Sequence, residues 1–273
     1  VSRGPREGEP PPAPEPLAVS VLDSHCHLDL VGGDVVGQLQ AARDVGVDVV
    51  VQIGVDLASS RLSAQIAAEH DGLWAAVAIH PNEAGLGAAT PAVLAEIEQL
   101  AALSQVKAIG ETGLDHFRTG EDGRGPQEES FRRHIDIAKR TGTTLVIHDR
   151  DAHDEVLRVL EEEGAPDRVV FHCFSGAAAM ARVCADRGYW MSFAGNVTFK
   201  NAGDLRAAAA AVPADLLLVE TDAPFLTPIP YRGRPNASYL IPLTMRALAE
   251  VRGADLDALC GAVAANGRAA FAL

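Results

Sequence analysis

The 273-residue sequence predicts an α/β fold, a single-domain (β/α)8 TIM barrel. Three observations lead there. Short β-branched runs alternate eight times with alanine- and leucine-rich stretches long enough for helices. The runs are nearly continuously apolar, as parallel strands covered on both faces must be. The chain also supplies the roughly 250 residues that one such barrel typically needs. An open, doubly wound sheet is the main structural alternative, but the first strand-helix junction, DSHCHLD, lacks the glycine fingerprint of a dinucleotide site.

The elements follow in order. Residues 1–16 hold six of the sixteen prolines with Gly and Glu between them, a composition that buries little apolar surface and predicts a disordered tail. The barrel domain is expected over residues 17–273. Its first run, Ala18 to Leu22, is followed by a helical stretch from Asp34 to Val45. Val47 to Ile53 precedes Ser60 to Glu69, and Leu73 to Ile79 precedes Pro91 to Leu103. Val106 to Gly110 leads to Gln127 to Arg140, Thr144 to Ile147 to Asp154 to Glu163, and Val169 to Phe171 to Ala177 to Arg187. Tyr189 to Phe193, then Leu205 to Ala211, then Leu216 to Val219 complete the alternation. Two further helices are predicted at Leu240 to Val251 and Leu256 to Ala265, with no second-domain boundary.

Composition narrows the function. Lys plus Arg number 23 against 37 Asp plus Glu, a formal charge of −14, and aromatic residues are 5% of the chain. A broad basic groove with many stacking aromatics is thereby disfavoured, so phosphate contacts are expected to be local and made through metal cations. The four cysteines, Cys26, Cys173, Cys184 and Cys260, contain no CxxC pair and fit neither a disulfide framework nor a thiolate zinc site. No apolar run reaches bilayer-spanning length and no signal-peptide core is present, so a cytoplasmic protein with no membrane partner is expected.

Chemistry-bearing residues fall just after five of the predicted strands: Asp23, His25 and His27 after the first, Glu111 after the fourth, His148 after the fifth, His172 after the sixth, Asp222 after the eighth. In a barrel these carboxyl ends form one mouth, where enzymes of this fold keep their active sites. His25 and His27, two apart in extended chain, aim to one face while Cys26 aims away. Converging imidazoles repel if protonated, and a divalent cation removes the conflict by taking their neutral lone pairs. Six ligands exceed the need of one tetrahedral ion. Two divalent ions use the set fully: His25, His27 and Asp222 on one, His148 and His172 on the other, and Glu111 bridging, with a water activated between them. Asp222 can also take the proton of that water, so Asp222 and Glu111 are the catalytic candidates.

Around these lie secondary candidates. His80, in a His-Pro-Asn turn, fits either a phosphate contact or a turn histidine bonded to backbone. Asp23 either orients a ligand imidazole or caps the following turn. Arg150, Arg232 and Arg234 stand on loops at the same end, where a guanidinium grips phosphate bidentately or forms surface ion pairs. His70, His116, His134 and His153 read as helix or loop surface positions.

Seven segments, DSHCHLD, AIHPNEA, AIGETGLD, LVIHDRDA, FHCFSG, VETDAPFL and RGRPNASYL, together resemble the TatD-family metal-dependent deoxyribonucleases of the amidohydrolase-like barrel superfamily, over roughly residues 17–273. The resemblance implies a metal-dependent barrel hydrolase whose ligands match His25, His27, Glu111, His148, His172 and Asp222. It also implies a DNase of 3′-to-5′ exonuclease character, with magnesium as a supporting metal. The donors themselves favour zinc, manganese, nickel or iron, since magnesium prefers oxygen ligands. The expected substrate is a single-stranded DNA end or another phosphodiester, with no obligate protein partner. Hydrolysis of a small ester, lactone or amide by the same activated water is the alternative, and a non-catalytic metal-binding scaffold is a third reading.

Overall fold

The computed structural model describes residues 8–273. The strands are β1 (Val21–Cys26), β2 (Val47–Ile53), β3 (Leu73–Val77), β4 (Val106–Asp115), β5 (Thr144–Arg150), β6 (Val169–Phe171), β7 (Trp190–Phe193) and β8 (Leu217–Val219). The helices are α1 (Leu28–Val31), α2 (Val35–Arg43), α3 (Leu57–Glu69), α4 (Pro81–Gly85), α5 (Pro91–Ala101), α6 (Glu121–Thr141), α7 (His153–Glu163), α8 (Ala178–Asp186), α9 (Gly203–Ala211), α10 (Ile241–Arg252) and α11 (Leu256–Phe271). The strands are hydrogen-bonded in chain order, β1 through β8. Parallel pairing joins β3 to β4, β4 to β5, β5 to β6 and β7 to β8. This is the expected strand order and direction of a (β/α)8 TIM barrel. The chain divides into two compact units, one made of residues up to 51 with 176–269, the other of residues 52–175 with 270–273.

In the first unit every residue of β1 is buried, the polar Asp23, Ser24 and His25 included. Burial of polar side chains demands partners. Ser24 and Ser192 meet hydroxyl to hydroxyl at 2.8 Å. The chain after β8 runs beside β1: the Asp222 N–H donates to His25 O and the His27 N–H to Ala223 O, both at 2.9 Å. Leu22 supports β1 from outside, packed so closely on α11 that a side chain at Gly267 would collide with it. Helix α10 starts with Pro242 in its first turn and stops at Gly253, left-handed at φ 59°, the arrangement in which both residues cost least.

The expected disordered tail does not hold for residues 8–16. Residues 1–7 lie outside the described residues. Arg234 donates through Nε to Glu9 O at 2.9 Å and through Nη2 to Pro10 O at 2.8 Å. Tyr239 donates to Pro11 O at 2.7 Å, and Arg246 to Glu15 O at 2.8 Å. Prolines carry no N–H, but the carbonyls of this segment, proline and glutamate alike, remain full acceptors, and Arg234, Tyr239 and Arg246 fasten them.

The second unit holds β3 to β6. Its strands β4 and β5 run past their apolar starts, β4 to Asp115 and β5 to Arg150. Two glycines allow this. Gly110, at φ 159°, leaves room for Val146, and Gly113, at φ 136°, leaves room for the His148 carbonyl; a Cβ at either would strike the neighbouring strand. Helix α6 begins at Glu121, ahead of the expected Gln127, with Glu121 and Asp122 in the first turn where the helix dipole favours acids. It buries Phe131, His134 and Ile135. His134 is therefore a core residue, correcting its surface reading: Nδ1–H donates to Ser130 O at 2.7 Å and Nε2 accepts the Ile79 N–H at 3.2 Å. Both ring nitrogens are satisfied only in the neutral form, and burial pushes its pKa down to about 4.

Candidate metal centre

The first unit brings together His25, His27 and Asp222. Asp222 Oδ1 lies 3.8 Å from His25 Nε2 and 3.6 Å from His27 Nε2, and the two imidazoles meet edge to face with centroids 5.1 Å apart. His25 and His27 are buried. These three ligand atoms form one of the compact sets able to hold a metal ion.

Asp222 is set by its backbone. It sits at φ 51°, a left-handed conformation that a non-glycine residue adopts only when its surroundings enforce it. Two side chains supply that force. Asp23 accepts from the Thr221 N–H at 2.9 Å and from the Thr221 hydroxyl at 2.5 Å. Asn236, buried, donates from Nδ2 to Thr221 O at 3.0 Å and to Phe225 O at 2.5 Å, gripping the turn on both sides of Asp222. Asp23 thus fastens the segment bearing Asp222, and it also accepts from the His25 backbone N–H at 3.3 Å. Burial pushes the Asp23 carboxyl up to about 7, against the hydrogen bonds from Thr221 and Ser238.

The second unit brings together Glu111, His148, His172 and His80. Glu111 Oε1 lies 2.5 Å from His148 Nδ1, 2.9 Å from His172 Nε2 and 3.4 Å from His80 Nε2. Burial opposes ionisation of Glu111, but the surrounding imidazoles of His172, His80 and His148 hold it well below the usual carboxylate range. His148 uses its other nitrogen, Nε2, on Asp115 Oδ2 at 3.3 Å. Burial would lower the His148 pKa, yet the two carboxylates raise it above the usual value. Asp115, despite burial, is drawn down to about 2 by His148 and by the Arg118 N–H. His80 accepts the Asn82 N–H at Nδ1, 3.0 Å away, so it fills the turn role and turns Nε2 toward Glu111. With Glu111 and His148 it forms a second compact set of possible metal ligands.

The donors fit a divalent transition metal. Each set mixes neutral-capable imidazoles with one carboxylate, the chemistry of zinc, manganese, iron and nickel sites. The carboxylate on His148 is the usual second partner of a metal-ligating histidine, fixing its tautomer and ring orientation. The remaining candidates lie apart from these contacts. The Arg150 guanidinium covers the Phe117 ring at 4.0 Å from its centroid, and that of Arg232 covers Phe199 at 4.2 Å. Arg234 is committed to the N-terminal segment.

The model of the family described as "TatD related DNase" matches residues 22–272. The chain belongs to this TatD family. A relative from Mycobacterium tuberculosis named "Uncharacterized metal-dependent hydrolase TatD" is 45% identical, covering 93% of this chain and 98% of its own. One from Bacillus subtilis, "Uncharacterized metal-dependent hydrolase YabD", is 34% identical over 92% of this chain and 98% of its own. The crystal structure of YJJV, a TatD homologue from Escherichia coli K12, superposes with a TM-score of 0.87 at 28% identity, covering 93% of this chain and 98% of that one. The protein is a TatD-family metal-dependent hydrolase with the (β/α)8 TIM-barrel fold. Among the described residues no helix is long and apolar enough to cross a membrane.

Within the TatD site, reading by sequence missed Asp115, Thr221 and Asn236. A signal for Asp115 was present: in GETGLD it shares parity with Glu111 and Gly113, so an extended chain puts it on the face of the ligand. Asn236 lies in the RGRPNASYL segment that carries the resemblance, but nothing there marks its part, which it plays on the Asp222 turn from fourteen residues further on through backbone carbonyls.

Proposed function

We propose that the protein hydrolyses phosphodiesters, acting as a deoxyribonuclease of 3′-to-5′ exonuclease character on single-stranded DNA ends. The observation that carries this reading is the ring of three imidazole nitrogens, from His148, His172 and His80, within 3.4 Å of one Glu111 oxygen in a TatD-family chain. His25, His27 and Asp222 would hold one divalent ion; Glu111, His148 and His172, with His80 beside them, would hold a second. When bound, such ions supply positive charge where negative charge develops on phosphate and bring the pKa of water toward neutrality. Zinc, manganese, nickel or iron suits the imidazoles best, with magnesium as the family alternative.

The chain's own residues do the rest. Asp222, its side chain 15% accessible, accepts the proton of the attacking water. Glu111, ionised and held between imidazoles, keeps its ligand group in register. Arg232, exposed on its loop, grips a phosphate oxygen of the strand. The net charge of −14 disfavours a long grip on duplex and suits capture of a strand terminus. A cytoplasmic setting accords with four cysteines that form no disulfide.

The test is digestion of end-labelled single-stranded DNA by metal-loaded protein, beside the Glu111→Ala and Asp222→Ala variants and a panel of small esters, lactones and amides. Stepwise shortening from the 3′ end, reduced at least about 100-fold in both variants, is expected. Undiminished digestion in both variants, or turnover of the carbonyl substrates alone, would overturn the reading.

A further inference from the structure

We propose that the Phe117 ring, backed by Arg150, is a stacking platform for one unpaired nucleobase of the substrate strand; this rests on the phosphodiester reading above. Among the Phe, Tyr and Trp side chains of the described residues, Phe117 alone is exposed, at 62%. The Arg150 guanidinium lies over one face of the ring, 4.0 Å from the centroid. With that face covered, the exposure belongs to the opposite face and the outer edge, which are open to a planar partner.

The platform grows directly from the ligand group of the second unit. Phe117 follows β4, which carries Glu111 and Asp115; Arg150 ends β5, two residues beyond His148. At a strand's rise, two residues are about 6–7 Å. The ring is thus carried at the ends of the same two strands that bear Glu111 and His148. Its mounting is fixed: the His116 N–H donates to Arg150 O at 2.9 Å, and the Arg118 N–H to Asp115 Oδ1 at 2.8 Å. A platform ordered beforehand loses little entropy on binding.

Chemistry selects a nucleobase as the occupant. Every base presents a π-face and stacks on an aromatic ring without regard to sequence. The guanidinium beneath makes a cation–π contact with the ring and occupies the site where a lone cation would sit, leaving the outer face to a flat, neutral group. An acidic chain gains little from a general electrostatic hold on DNA, so a stack supplies affinity that salt does not screen.

The experiment uses the metal-loaded full chain, a single-stranded oligonucleotide, and the same strand abasic at its terminal positions. Wild type is expected to show a KM about 5- to 150-fold lower for the base-bearing strand. Phe117→Ala should erase that preference by raising KM for the base-bearing strand alone, with kcat and the salt dependence of binding unchanged. Phe117→Trp should keep the preference, its added fluorescence quenched by the strand. Equal KM values for the two strands in wild type, or equal shifts for both in Phe117→Ala, would overturn the platform. If wild type processes neither strand, the phosphodiester reading fails, and the platform is then judged by free adenosine: quenching of the Phe117→Trp signal sustains it, and no quenching overturns it.

Discussion

His148 Nδ1 lies 2.5 Å from Glu111 Oε1 while its Nε2 lies 3.3 Å from Asp115 Oδ2, so one imidazole is held between two carboxylates of the same strand. Glu111 belongs with the proposed ligands; Asp115 holds the other nitrogen of the ring. Removing such an outer carboxylate typically weakens metal binding about 10- to 100-fold. Asp115→Asn is therefore expected to lower the affinity of the second-unit site by about that factor, and to leave the His25, His27 and Asp222 site unchanged. Calorimetric titration with a divalent cation measures both; unchanged affinity at both sites would contradict this role.

The buried His134 makes stability depend on pH. Its pKa is lowered from 6.5 in the unfolded chain to about 4 in the fold by burial. A lowered histidine pKa means that the unfolded chain binds the proton first. The contribution is thus complete above pH 6.5, shrinks as pH falls, and has lost about 3 kcal/mol by pH 4. Urea unfolding of metal-free protein between pH 4 and 7.5 should show His134→Gln shedding this part of the acid sensitivity; an identical pH slope in both proteins would refute it.

Gly113 and Gly87 both have positive φ, but only Gly113 faces a neighbour, the His148 carbonyl. Gly87→Ala is expected to cost about 1–2 kcal/mol, the backbone strain alone. Gly113→Ala adds a collision that pushes β4 from β5 and should cost more than that, with weaker metal binding at Glu111 and His148. Thermal unfolding separates them. Equal losses would show that β5 yields freely.

Much of the site was legible because barrel enzymes place chemistry just beyond apolar runs, and His25, His27, Glu111, His148, His172 and Asp222 all lie there. The structure places His25 and His27 beside Asp222, and His148 and His172 beside Glu111. Strand ends did not. An apolar criterion stops β1 at Leu22, yet hydrogen bonding continues through Asp23, Ser24 and His25 because each has a buried partner or belongs to the ligand set. His134 was misread because a histidine on a polar helix looks solvated unless its bond to Ile79, fifty-five residues away, is known. The proline-rich segment was misread because its composition forbids a core of its own, while its order comes from Arg234, Tyr239 and Arg246.

That segment gives a further prediction. Tyr239→Phe and Arg246→Ala each remove a bond to its carbonyls, at Pro11 and Glu15. Each should destabilise by about 0.5–1.5 kcal/mol, read by urea unfolding. Unchanged stability in both variants would contradict the anchoring.

Two cation sites, one on His25, His27 and Asp222 and one on Glu111, His148 and His172, are tested most directly by the stoichiometry of manganese binding to metal-stripped protein. Wild type should take up two ions per chain. Glu111→Ala should lose the ion of His148 and His172, and Asp222→Ala the ion of His25 and His27, each variant binding one. A wild-type chain that binds none, or variants that both still bind two at unchanged affinity, would contradict the account.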